Sequence, residues 1–498
     1  ELRFYDYVEI QPLIDAQCYV ERGRFESLKE VEKIYSRIID CAKKENKIIV
    51  ATGDVHFIHP TDKIYRDAFI SNPKLQIEGR PHPLCVRTNP HALTPDCYYR
   101  TTEEMLECFP YLSEKDTYQY VVTNTHKIAE SIDKNVEVVK SGLYPPFIEN
   151  VNEKFRDLCN KTAHETYGDV LPEEVKTRLD FEVDNIIKHS FAVIYYISAM
   201  LVHESNNDGY LVGSRGSVGS SFAATMSGIS EVNPLPPHYH CPNCRYSEFT
   251  NSVANGFDLP DKKCPVCGTY MKGDGHNIPF ETFLGFNGDK VPDIDLNFSG
   301  EYQPKAHEFV RKMFGSDHAF RAGTIATVAE KTAYGYAKAY AERMEIDSTI
   351  RGAELQRIAD GCQGVKRTTG QHPAGIIVIP DGMEVFDFTP YQYPADDVNA
   401  SWRTTHFDFH KIHDNVLKFD ILGHVDPTVT RRLQDLTGVD PMTIPTNDPY
   451  VMSLFRTSDA LGADLSYMNC KSGAIGLPEF GTRFVRSMLE ATQPKSFS

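Results

Sequence analysis

No apolar run in these 498 residues approaches the roughly 20 needed to span a bilayer; the longest, FAVIYYISAMLV at 191–202, is flanked by histidines. A membrane partner is therefore not expected. No secretory leader is legible, so the expected compartment is the cytoplasm. Internal repeats and low-complexity tracts are also lacking, and 41% hydrophobic content is ordinary for folded globular domains, about three or four at this length. Positive charge is scarce: the net charge of −17 argues against a nucleic-acid partner if it is evenly spread. It is not, since residues 305–370 carry +3 and the remainder −20. That local excess suits contacts to a nucleic-acid backbone, and equally a solvated helical surface. Of the 12 cysteines, eight are scattered singly, which fits a reduced protein better than a disulfide framework. The chain opens at Glu1 without methionine and closes on EATQPKSFS, and is expected to be a piece of a longer protein.

What is present begins with an amphipathic helix over about 25–44, then a β-branched strand, KIIVAT, and a loop carrying Asp54, His56 and His59. The alternation predicts an α/β unit. Residues 95–139 read as helical and charged, and 171–209 as long helices that end in a polar, glycine-containing stretch. Next comes GYLVGSRGSVGSS at 209–221, a glycine-serine loop, followed by SSFAATMSGI, whose small residues suit a helix packed closely on a sheet. Residues 232–280, rich in Pro, Gly, Asn and Cys, read as a small insertion without helix or core strand. RFVRSMLEA near the end reads as a further helix.

Four cysteines stand apart. Cys241 with Cys244, and Cys264 with Cys267, form two CxxC pairs 19 residues apart. That spacing lets four thiolates close a tetrahedral structural zinc site with no position left for water; four unrelated buried thiols is the alternative. In KVPDIDLNF, Asp293 and Asp295 share one strand face while Ile294 and Leu296 point to the core. Paired acids repel unless a cation lies between them, so the pair is a natural magnesium site, with a solvated edge strand as the plain alternative. Asp420, between Phe419 and Ile421, is costly to bury unless metal-bound or paired with Lys418 on the same strand face. The glycine loop matches neither GxxxxGK[ST] nor GxGxxG spacing. Taken together, backbone N–H groups and hydroxyls for phosphate, the Arg215 charge and three carboxylates able to hold two magnesium ions suit in-line nucleotidyl transfer.

GSRGSVGSSFAATMSGI, PDIDLNFSGEYQ, HPAGIIVIP, FDFHKIHDNVLKFDILGHVDPT and GLPEFGTRFV resemble, in order, segments of the bacterial replicative DNA polymerase III alpha subunit of the PolC type. The resemblance covers essentially the whole chain. It implies a multidomain α/β and α+β protein: a polymerase-beta-like nucleotidyltransferase palm with an inserted zinc knuckle and a helical thumb, preceded by the C-terminal part of a PHP α/β domain. The implied layout is PHP remainder and connection over 1–140, and the first part of the palm over 141–320, with the knuckle at about 235–275. The thumb follows over 321–382, the second part of the palm over 383–435, and the start of the fingers over 436–498.

On the family pattern Asp293, Asp295 and Asp420 match the catalytic carboxylates, and Gly213, Ser214, Arg215, Gly216 and Ser217 match the loop for the incoming triphosphate. Arg321 and Lys331, in the basic stretch, are implied DNA-backbone contacts. Asp54 and His56 in TGDVH match the last PHP metal-ligand motif, but the earlier ligand motifs are absent, so a complete PHP site is not expected from this chain. His372 in QHPAG is expected to be a structural histidine at a tight turn. The implied activity is template-directed transfer of deoxynucleotides to a primer 3′-hydroxyl with two catalytic Mg2+, alongside a structural Zn2+. Primer-template DNA and deoxynucleoside triphosphates are the implied partners. Whole family members add a 3′-to-5′ exonuclease and bind the sliding clamp and replisome through regions not present here. Two other readings stand beside this one: a template-independent nucleotidyltransferase on the same palm, and a catalytically incomplete zinc-stabilised DNA-binding fragment.

Overall fold

The computed structural model describes residues 2–70, 76–77, 80–81, 84, 94–285, 290, 292–394 and 397–498. Cys85, one of the scattered thiols, and Val291 of the KVPDIDLNF run lie outside the described residues. The chain forms two compact units, 1–137 with 325–369, and 138–324 with 370–498.

In the first unit, strands Tyr7–Ile10 and Ile48–Ala51 pair in parallel, as a strand–helix–strand crossover requires, and the helix Leu28–Lys44 connects them. The helix buries Val31, Ile39 and Ala42, and Lys43 and Lys44 sit in its last turn, where the helix dipole favours positive charge. The α/β expectation for this segment therefore holds. Helices Glu330–Arg343, Gly352–Cys362 and Lys63–Ile70 pack around Ala68, Ala333, Ala337, Ile358 and Ala359, where small side chains let the backbones approach closely.

The second unit is built on three long helices, α1 (Val151–Tyr167), α2 (Glu173–Lys188) and α3 (Ala192–Asn207). The apolar run at 191–202 is α3, buried along most of its length through Ile194, Tyr195, Ile197 and Leu201. No single described helix is long and apolar enough to cross a membrane. Seven strands form the sheet: β1 (Gly213–Arg215), β2 (Asp295–Ser299), β3 (Ala319–Thr327), β4 (Lys366–Val378), β5 (Tyr391–Gln392), β6 (Thr404–Asp408) and β7 (Leu417–His424). Their order is β5-β6-β3-β4-β7-β2-β1, with β2 parallel to β7 and β4 and β1 antiparallel to these neighbours. Leu296, Phe298, Phe419 and Ile421 alternate onto the face that joins the helical core, which frees the opposite face of β2 and β7 for polar groups.

The stretch expected as a thumb, 321–382, begins within β3, contains all of β4 and ends four residues past it, so it shares two strands with this sheet; the part outside the second unit is 325–369. The cysteine-rich insertion also has more order than its composition suggested. Strands Ser247–Phe249, His238–His240 and Lys272–Asp274 form a three-stranded sheet over Tyr239, Leu259 and Met271.

Candidate active site

Parallel pairing of β2 with β7 sets Asp295 directly opposite Asp420, and antiparallel pairing on either side sets Arg215 opposite Asp295 and Gly375 opposite Asp420. One row across four strands thus reads Arg215, Asp295, Asp420, Gly375. Asp293 precedes β2, and carboxylate oxygens of Asp293, Asp295 and Asp420 lie within 4.8 Å of one another. Burial and the neighbouring charges of Asp293 and Asp420 push the Asp295 carboxyl above its usual range.

Asp420 carries two environments on one carboxylate. Its Oδ2 accepts from Lys418 Nζ at 2.8 Å, two residues back on the same strand face, so the ion-pair alternative and the carboxylate cluster hold together. Its Oδ1 is buried with no hydrogen-bond partner, and His372 Nδ1 lies 3.8 Å from it. Three hard carboxylates with one buried, unpartnered oxygen fit a divalent cation such as Mg2+. Lys418 passes its stem over Gly375 and sets its ammonium 4.6 Å from the Phe409 ring centroid. A Cβ at position 375 would sit 3.0 Å from Lys418 Cδ, 3.0 Å from Ala322 Cβ and 3.1 Å from His372 Nδ1, so glycine keeps this crossing open.

His372 lies within β4, not at a turn, and its Nδ1 accepts from the backbone N–H groups of Gly375 at 2.7 Å and Ala374 at 3.2 Å. That fixes Nδ1 as the unprotonated nitrogen, and burial lowers its basicity further.

The glycine loop divides by strand parity. Arg215 is exposed on the face of Asp295, whereas Ser214 pairs with Leu296 and takes the opposite face. Ser214, expected to offer its N–H and hydroxyl to phosphate, donates both to Glu231 Oε2, each at 3.0 Å, and its Oγ also lies 2.9 Å from Ser230 Oγ. The reason is that Gly213–Arg215 is a strand, whose alternation turns Ser214 away from the carboxylates. Gly216, at φ +72° with nothing near its Cα hydrogen, makes the left-handed turn that starts a 3-10 segment through Ser220 and leaves Ser217 partly exposed.

The other expected residues fall elsewhere. Arg321 departs from an outward DNA contact: its Nη2 donates to the carbonyls of His372 and Pro373 at 2.8 Å each, and its Nη1 to His307 Nδ1 at 2.7 Å. Lys331 is exposed on the helix Glu330–Arg343. Asp54 and His56 lie 3.4 Å apart with Cys97 Sγ 3.8 Å from Asp54 Oδ2, but among the described residues no three metal-ligating side chains gather here within reach of one ion. The four cysteine sulfurs meet, with Cys241 Sγ 3.4 Å from Cys267 Sγ, Cys244 Sγ 3.4 Å from Cys264 Sγ, and all four within 4.8 Å. Zn–S bonds of about 2.3 Å place tetrahedral sulfurs roughly 3.8 Å apart, so the set fits zinc closely. Sequence reasoning missed Glu231, Gly375 and the service of Arg321 to the backbone beside Asp420; each acts through sheet register, which local motifs do not encode.

Comparison with known proteins identifies the family. The family described as bacterial DNA polymerase III alpha NTPase domain matches residues 153–423, and that described as the finger domain of the same subunit matches 426–498. The chain is 56% identical over 498 residues to the protein named DNA polymerase III PolC-type of Bacillus cereus, covering 100% of the chain and 34% of that relative. The Bacillus subtilis protein of the same name is 55% identical over 497 residues, 99% of the chain and 34% of the relative. The chain thus spans about a third of the length of these relatives. Matched over more than half its length by the NTPase-domain family, and along its whole length by these relatives, it belongs to the bacterial DNA polymerase III alpha subunits of the PolC type.

Proposed function

We propose that this chain carries the nucleotidyl-transfer centre of a replicative DNA-directed DNA polymerase, in a polymerase-beta-like palm. The observation that supports it most is the convergence of Asp293, Asp295 and Asp420, with the buried Asp420 Oδ1 left without a partner. In this reading the three carboxylates hold two Mg2+, which supply activation of the primer 3′-hydroxyl and charge neutralisation at the triphosphate. Lys418 pairs with Asp420 Oδ2 and fixes the orientation of that carboxylate in the row. Arg215, beside Asp295 on the exposed edge of the row, offers a charge-assisted contact to the triphosphate, and the turn at Gly216 presents the N–H groups of Gly216 and Ser217 next to it. Ser214 acts in this reading by fixing the loop through Glu231, not by touching phosphate. Lys331 remains a duplex-backbone contact of the thumb, whereas Arg321 braces the backbone next to Asp420. The cysteine cluster holds a structural Zn2+. Primer-template DNA and deoxynucleoside triphosphates are the substrates, the cytoplasm the compartment, and clamp and replisome contacts belong to other regions of the polypeptide.

Template dependence tests the reading against untemplated transfer. The intact polypeptide should extend a primer only with the nucleotide complementary to the template, and should retard primed duplex in a gel shift. Untemplated addition of all four nucleotides would sink the proposal.

A further inference from the structure

We infer that the pair Arg178–Glu182 on α2 is a positioning device for the glycine loop, acting from behind it on Ser220 and Ser221. This rests on the reading of that loop as the triphosphate site.

Glu182 is fully buried, an unusual place for a carboxylate, and its hydrogen bonds go to the end of the loop, to the first turn of the helix that follows it and to Arg178. Its Oε2 accepts from Ser221 Oγ and from Ala223 N, each at 2.9 Å, and its Oε1 pairs with Arg178 Nε. Arg178 Nη2 in turn donates to the Ser220 carbonyl at 2.9 Å and the Ile278 carbonyl at 3.1 Å. Ser221 is also fully buried: besides donating to Glu182, its Oγ accepts from Ala224 N at 3.2 Å and from Tyr195 OH at 3.1 Å.

The backbone carbonyl of Ser220 and the side chain of Ser221 are therefore held by one ion pair whose carboxylate is fully buried, just where the segment Gly216–Ser220 ends and the short helix Phe222–Met226 begins. A buried charge of this kind is expensive unless it is paired and fully hydrogen-bonded, and the groups that satisfy Glu182 are those at the end of the loop. Here the geometry secured is the exit of the loop, while Glu231 secures its entry at Ser214. With both ends tied, the turn at Gly216 is pre-organised, and the N–H groups between the ties need no ordering when an anion arrives. Glu182 and Arg178 are positioning residues: neither touches the Asp295–Asp420 row.

The test uses the intact polymerase polypeptide with Glu182→Gln, Glu182→Asp and, as a milder change, Ser221→Ala. Hydrogen exchange of the segment 213–221 is read first, because it needs no nucleotide. Glu182→Gln should speed exchange in that segment and in the adjoining helix Phe222–Met226 by about tenfold or more, the size expected when a hydrogen bond to a charged group is lost, with the sheet and the long helices of the second unit unchanged. KM for the deoxynucleoside triphosphate should rise by a similar factor, with KM for primer-template unaltered and partial rescue in Glu182→Asp. If Glu182→Gln does not fold, Ser221→Ala must show the same pattern at smaller amplitude. Unchanged exchange in 213–221 overturns the inference whatever the enzyme does. Faster exchange in Glu182→Gln, alongside a wild-type protein that synthesises no DNA, would leave the positioning role standing and overturn the polymerase reading.

Discussion

Asp295 and Asp420 are register partners on parallel strands, set side by side from positions 125 residues apart in the chain. Two carboxylates at this spacing repel, and the only ammonium paired with either among the described residues is Lys418, at 2.8 Å from Asp420 Oδ2. Lys418 is thus the resident counter-charge of the row, and its removal should be felt most when no metal is bound.

Lys418→Met should destabilise the metal-free protein by about 2–4 kcal/mol, since it strands a carboxylate in a largely buried position. Added Mg2+ should recover part of the loss. Thermal unfolding of wild type and variant with and without Mg2+ checks this; a gap in Tm that Mg2+ leaves untouched would count against a shared cation site.

Gly375→Ala places a methyl 3.0 Å from both Lys418 Cδ and Ala322 Cβ. The expected cost is about 1–3 kcal/mol of stability, the usual range for overpacking. Primer extension should fall further than stability alone explains, because the displaced lysine no longer holds Asp420. Equal losses in a Lys418→Met background would show that the effect does not pass through Lys418.

His307 supplies a pH dependence. Burial and the adjacent Arg321 lower its pKa from 6.5 to about 4. The unfolded state therefore binds more protons between these values, so the contribution of His307 is present above about pH 6.5 and is lost as pH falls toward 4, up to roughly 3 kcal/mol. Unfolding free energies measured from pH 7 to 4 should decline more steeply in wild type than in His307→Gln, which keeps an acceptor for Arg321 without titrating. Parallel profiles would contradict this.

How far the sequence disclosed these features depends on whether the signal is local. Cys241, Cys244, Cys264 and Cys267 were legible because ligand spacing is a property of two short turns, and Asp293 with Asp295 because strand parity acts over two residues. Asp420 was ambiguous between metal and Lys418, and the structure pairs it with Lys418 while bringing it together with Asp293 and Asp295. Ser214 and Arg321 went astray for one shared reason. Each lies on a strand of the sheet, where parity and neighbouring strands decide the direction of a side chain, and the glycine-rich and basic composition around them suggested loop and thumb instead. Glu231, Gly375 and the Arg178–Glu182 pair carry no motif at all; their roles exist only once distant segments meet.

Removing zinc should loosen the insertion without touching the carboxylate row. Cys264→Ser, or treatment with a strong chelator, should abolish zinc content and open residues 235–275 to limited proteolysis, because the cluster of Tyr239, Leu259 and Met271 is too small to hold the three-stranded sheet by itself. Protection that persists without metal would show that the cysteines are not the staple.

Primer extension by the intact polypeptide carrying Asp420→Asn, with Asp295→Asn in parallel, tests the carboxylate row most directly. Each substitution preserves size and strand pairing while removing one negative charge from the row. The expected result is a loss of synthesis on the order of 1,000-fold or more, with zinc content and primer-template binding unchanged. Synthesis within about tenfold of wild type in either variant would contradict the assignment of Asp293, Asp295 and Asp420 as the metal-holding centre.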